Sequence, residues 1–179
     1  MILSARIISA RLSESGYLPA IPAENDENDM KKKEEDVHGH CQAGAVLKKE
    51  PGHHLIISPF SPESLQPASY DLRVSLDMIL PKGCCTLVPS LEWVEIPGDL
   101  AATLRCRSSY GRRGVFISAG FVDPGFRGQL TLCLVNLSNE DIVLKKNDRI
   151  VQMIIHEVRE GGTLYNGRYQ DSYGAIDAR

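Results

Sequence analysis

An acid beside a proline–glycine pair, a thiol in the middle of a strand and a turn rich in arginine and serine are the groups here that could do chemistry. In GFVDPGFRG, residues 120–128, Pro124-Gly125 makes a tight turn between Asp123 and Phe126. A carboxylate placed there can hydrogen-bond and deprotonate a water. The commoner role of Asp beside Pro-Gly is that of a side-chain turn former. The spacing predicts a β-hairpin whose backbone groups at Ala119, Gly120 and Phe121 offer N–H and C=O to the edge of a flat base. Phe126 then lies where it could pack against a sugar.

The strand that follows, QLTLCLVN (residues 129–136), alternates. Gln129, Thr131, Cys133 and Val135 fall on one face and Leu130, Leu132 and Leu134 on the other. In RSSYGRRG, residues 107–114, the forked donors of Arg107, Arg112 and Arg113 and the hydroxyl and N–H donors of Ser108 and Ser109 suit phosphate oxygens. A solvated basic turn fits the same residues equally well. In PASYDLRV, residues 67–74, Asp71 and Arg73 share a strand face, so a structural ion pair between them is the simplest expectation. NDRIVQMIIHEV, residues 147–158, reads as a turn and a core strand, with Arg149 and Gln152 as polar contacts.

These groups must be held by short strands. From about residue 54 onward, runs such as HLIISPF, SYDLRVSLDMIL, CCTLVPSLEWVEIP, LAATLRCRS, GVFISAGFVD and DIVLK are separated by Pro, Gly, Asn or Asp. That spacing, without long helices between, predicts an all-β sandwich or barrel. Residues 2–18 suggest a short helix capped by Ser4, with Ile7, Ile8, Leu12 and Leu18 on one face and Gly16 and Pro19 to stop it. From Glu24 to Asp36, seven acids and three lysines accompany Met30 alone among sizeable apolar side chains, so about 22–54 reads as a polar insertion unable to bury a core. The tail, about 159–179, reads as an arm that needs a partner surface.

The chain of 179 residues suits a single domain, and 42% hydrophobic with 24% charged residues is ordinary for a globular protein. A net charge of -3 provides no broad basic field for nucleic acid. No apolar run approaches the roughly 20 residues of a membrane span, and no signal peptide is read, so a cytoplasmic setting is expected. The five cysteines (41, 84, 85, 106 and 133) show no CxxC spacing and are expected as free thiols. His38, His40 and Cys41, and His53-His54, lack a matching zinc-ligand pair.

Taken in order, PASYDLRV, RSSYGRRG, AGFVDPGFRGQL and NDRIVQMII resemble four motifs of the dUTPase/dCTP deaminase superfamily, from about Ile57 to Val158. MILS with a short helix is similar to the deaminase branch. The resemblance implies a mainly β, distorted jelly-roll barrel with a short N-terminal helix and a C-terminal arm. It also implies a homotrimer with sites between subunits, and Mg²⁺ carried by a pyrimidine deoxynucleoside triphosphate rather than by protein ligands.

On the dUTPase pattern Asp123 is the general base for water attack on dUTP, giving dUMP and pyrophosphate. Phe126 takes the place of the aromatic against the deoxyribose. Arg107, Ser108, Ser109 and Arg112 hold phosphates, and Asp71 and Gln152 support the site. On the deaminase pattern the strand after the turn reads I-x-L-E-x-x-N, and its Glu shuttles protons between water and cytosine. Cys133 stands at that Glu position. A thiol, of ordinary pKa about 8.5, replaces a proton-shuttling carboxylate poorly. Phe121 falls where bacterial deaminases tend to carry a polar residue. The arm, GRYQDSYGAIDAR, is closer to the deaminase pattern YQxQxGA than to the glycine-rich dUTPase arm. Arg168 and Tyr169 are its expected phosphate contacts. dUTP hydrolysis is therefore the leading expectation, with dCTP deamination and a non-catalytic nucleotide binder as alternatives.

Overall fold

β-Branched and aromatic residues alternating with polar ones build two antiparallel sheets that share one core. The computed structural model describes residues 1–12, 54–159 and 162–178. Nearly all of the polar insertion, and Gly16, Leu18 and Pro19 with it, lies outside the described residues. One sheet has four strands in the order β1 (Ile56–Ser58), β5 (Cys85–Glu95), β9 (Arg127–Asn136), β7 (Val115–Ile117). The other has five: β2 (Leu65–Gln66), β3 (Ser69–Arg73), β11 (Arg149–Glu157), β6 (Leu100–Cys106), β8 (Phe121–Val122). A separate pair joins β4 (Met78–Leu80) to β10 (Ile142–Leu144). The expected single run SYDLRVSLDMIL is thus divided between β3 and β4, in different sheets.

Period-2 patterning puts Tyr70 and Leu72 of β3, Leu130, Leu132 and Leu134 of β9, and Val151, Met153 and Ile155 of β11 in the core. The N-terminal helix α1 (Ala5–Arg11) is shorter than expected. Ser4 holds its N-cap backbone position without a side-chain cap bond, Ile8 is buried and Ile7 is exposed. Leu12 leaves the helix to bridge Leu55 in parallel.

Two features of this frame bear on the site. The first is an irregularity in β5, where pairing with β9 shifts between Pro89 and Trp93. Such an offset re-aims side chains. Buried Ser90 Oγ accepts from Leu130 N–H (2.9 Å) and donates to the Glu92 carbonyl (2.8 Å). Glu92, fully buried, reaches Arg73 on the other sheet: its Oε1 is 2.6 Å from Arg73 Nε, and its Oε2 accepts from Arg73 N–H (2.9 Å). Arg73 therefore pairs with Glu92, not with Asp71 as expected. The distance in sequence between the partners hid the pair.

The second feature is the path around Asp123. β8 pairs with β6, whereas β9 pairs with β5 and β7. GFVDPGFRG is therefore not a hairpin. It is the corner at which the chain crosses from one sheet to the other.

Candidate functional site

The corner is a four-residue turn. Phe126 N–H donates to the Asp123 carbonyl (3.1 Å), Pro124 follows Asp123, and Gly125 has φ +83. Pro then a positive-φ residue is the signature of a type II turn. The backbone closes it, and the Asp123 side chain makes no hydrogen bond or ion pair among the described residues. The carboxylate is exposed, so the turn-forming role expected of it falls to Pro124 and Gly125.

Gly125 serves a second purpose. A Cβ there would lie 2.8 Å from Leu164 Cβ, because the arm packs directly on the turn. Tyr165 N–H donates to the Pro124 carbonyl (2.8 Å), and the Tyr165 ring meets Phe126 edge-on at 5.6 Å between centroids. Phe126 is only 8% exposed. It packs beneath Tyr165, and in this arrangement Tyr165 is the more accessible ring of the two. Phe121, by contrast, is 63% exposed, Ala119 is exposed, and the Gly120 carbonyl is taken by Leu104 N–H (2.8 Å).

Beyond the turn the arm follows β9 in the same direction. Gln129 N–H donates to the Ser172 carbonyl (2.9 Å), Gly174 N–H to Gln129 Oε1 (2.7 Å) and Ile176 N–H to Thr131 Oγ1 (3.0 Å). Gly128 permits this approach, since a Cβ there would sit 2.8 Å from Ser172 Oγ. Arg127 pairs through two guanidinium nitrogens with Asp171. The arm thus advances toward Cys133, the next residue on that face. Arg168 and Tyr169 are exposed at its turn. Alternation placed Gln129 and Thr131 on the correct face, but nothing in the sequence marked them, Arg127 or Gln170 as the seat of the arm.

Cys133 is half-buried on β9, with its thiol 3.9 Å from the Thr131 carbonyl. Burial, and secondarily the nearby Cys85, push its pKa up, so the group is a neutral thiol at neutral pH. Cys84, Cys85, Cys106 and Cys133 are all free.

The other expected site residues form a second group. Asp71, fully buried on β3, faces Gln152 across the β3–β11 pairing, and its Oδ2 is 3.0 Å from Arg107 Nε. Neither carboxylate oxygen has an aligned hydrogen bond among the described residues. Burial therefore raises its pKa, against the opposing charges of Arg107 and Arg149 and a contact with Gln152. Arg107 also donates from Nη1 to the Arg149 carbonyl (3.0 Å). It is turned inward, and Gln152 sits beside Asp71 and 3.4 Å from Ser69 Oγ. Arg107 and Gln152 thus converge on the buried Asp71 carboxylate.

The short helix α2 (Ser108–Gly111) follows, with Ser108, Ser109 and Arg112 exposed. Arg113 instead stacks on Tyr110, 5.6 Å from the ring centroid. No hydrogen bond or ion pair within the described residues joins this turn to the Asp123 corner.

Two packed antiparallel sheets of this kind are also the fold of known dUTPases. The dUTPase of EIAV superposes with a TM-score of 0.52 over 65% of this chain and 98% of its own, at 19% identity. A 2′-deoxycytidine 5′-triphosphate deaminase from Agrobacterium tumefaciens gives 0.52 over 58% and 43%, at 21% identity. Residues 75–158 match the family described as dCTP deaminase-like. The dCTP deaminase of Thermococcus gammatolerans is 40% identical over 66% of this chain and 85% of its own length, and a dUMP-forming dCTP deaminase from Aquifex aeolicus is 30% identical over 70% and 86%. The chain belongs to the dCTP deaminase-like family of the dUTPase/dCTP deaminase superfamily.

Proposed function

We propose that this chain is an enzyme acting on a pyrimidine deoxynucleoside triphosphate at the Asp123 corner, and that its reaction is hydrolysis of dUTP to dUMP and pyrophosphate. One observation carries the choice: the strand position of the deaminase Glu holds a neutral, half-buried thiol, while the Asp123 carboxylate is exposed and unengaged. Asp123 would accept the proton of the attacking water. Ser108, Ser109 and Arg112, with Arg168 and Tyr169 of the arm, would hold phosphate oxygens. Asp71 would act indirectly, by orienting Arg107 behind Ser108.

Among the described residues no group of three or more His, Cys, Asp or Glu side chains could hold a metal alone. Mg²⁺ would arrive on the triphosphate and neutralise its charge. In a homotrimer of the kind the family resemblance implies, the site would be completed by a second copy.

The names of the relatives favour a second reading, deamination of dCTP, alone or followed by hydrolysis to dUMP. It requires that another group take over the proton transfer that Cys133 performs poorly. Asp123→Asn tests the first reading. Turnover of dUTP should fall by roughly 10²-fold or more while nucleotide binding survives. Unchanged turnover would remove Asp123 as the base.

A further inference from the structure

We propose that Gln170 is a positioning residue that fixes the Asp123 corner. The inference rests on the reading of Asp123 as a reacting group. Because the corner crosses between sheets, its backbone groups have no continuous ladder to satisfy them. Gly125 N–H reaches the Ile96 carbonyl (2.9 Å), and Ile96 N–H returns to the Phe126 carbonyl (2.8 Å). Those bonds leave the Gly125 carbonyl and Arg127 N–H unmet, and the Gln170 carboxamide meets both. Its Nε2 donates to Gly125 O (2.9 Å), and its Oε1 accepts from Arg127 N–H (3.0 Å).

One side chain with one donor and one acceptor thereby replaces a missing peptide of the ladder. Only an amide of this length serves both partners: a carboxylate has no donor for Gly125 O.

The neighbouring residue holds Gln170 in register. Asp171 has φ +58, a left-handed conformation that Asp and Asn tolerate better than most side chains. Its N–H donates to the Arg127 carbonyl (2.8 Å), and its carboxylate pairs with the Arg127 guanidinium. Arg127 is thus gripped through N–H, carbonyl and side chain by two consecutive arm residues. Between the Tyr165 and Gln170 anchors, the arm carries Arg168 and Tyr169 past the turn that bears Asp123.

The test uses the full chain with Gln170→Glu, Gln170→Ala and Asp171→Asn, assayed on whichever of dUTP or dCTP the unaltered protein turns over. Both Gln170 variants should lower kcat by about tenfold or more with KM changed less than about twofold, because the reacting group is misplaced while phosphate contacts persist. Asp171→Asn keeps the left-handed conformation and loosens the arm, so it should raise KM more than it lowers kcat. An unchanged kcat in the Gln170 variants overturns the proposal, as does a parallel change of kcat and KM in all three variants. Should neither nucleotide be turned over, the catalytic reading fails separately. Hydrogen exchange then decides the positioning role. Arg127 N–H should exchange about tenfold faster or more in Gln170→Ala, and an unchanged rate overturns it.

Discussion

Glu92 and Asp71 show how differently two buried carboxylates can be used. Glu92 is met by both the Nε and the backbone N–H of Arg73, and it ties one sheet to the other. Glu92→Ala would strand a guanidinium that is only 16% exposed, so it should cost about 3 kcal/mol in urea denaturation. Asp71 is buried without an aligned hydrogen bond, which raises its pKa. A carboxyl raised in the folded state holds its proton longer there than in the unfolded chain. Its contribution to stability is therefore complete below the unfolded pKa, about 3.9, and is lost as pH rises through the folded value. Urea midpoints measured from pH 4 to 7 should show the unaltered chain losing stability relative to Asp71→Asn as pH increases. At Cys133 the substitution to Glu should bring measurable release of ammonia from dCTP if the thiol is what withholds deamination.

Elements position these residues in ways that were partly legible in advance. The alternation of β9 assigned Leu130, Leu132 and Leu134 to the core and Cys133 to the opposite face, because a half-buried strand writes its period into its sequence. The β-rich fold was legible for the same reason, and the four motifs in order by their resemblance to the superfamily. The partner of Arg73 was not, because Glu92 is brought to it by an irregularity in β5 that no local pattern announces. The corner at Asp123 read as a hairpin because turn chemistry reports a reversal of the chain but not the sheet that each flanking strand joins. The seat of the arm was invisible because it is built from long-range contacts between β9 and residues 165–176. Gly128→Ala tests that seat: a Cβ 2.8 Å from Ser172 Oγ should release the arm, seen as faster proteolysis after Arg168 and a several-fold higher KM for the nucleotide.

At the scale of the whole molecule, the frame is shared by proteins that hydrolyse dUTP and proteins that deaminate dCTP, so the fold leaves the reaction open. No helix among the described residues is long and apolar enough to cross a membrane. The reaction is decided by which groups meet the base and which meet the phosphates. On the proposed reading, a thiol stands where deamination would need a carboxylate, while Asp123 would supply the base for hydrolysis. The most direct measurement follows pyrophosphate from dUTP and ammonia from dCTP in one preparation with Mg²⁺. Pyrophosphate and dUMP from dUTP, with no ammonia from dCTP, is the predicted result. Ammonia release from dCTP at a rate matching or exceeding dUTP hydrolysis would contradict it.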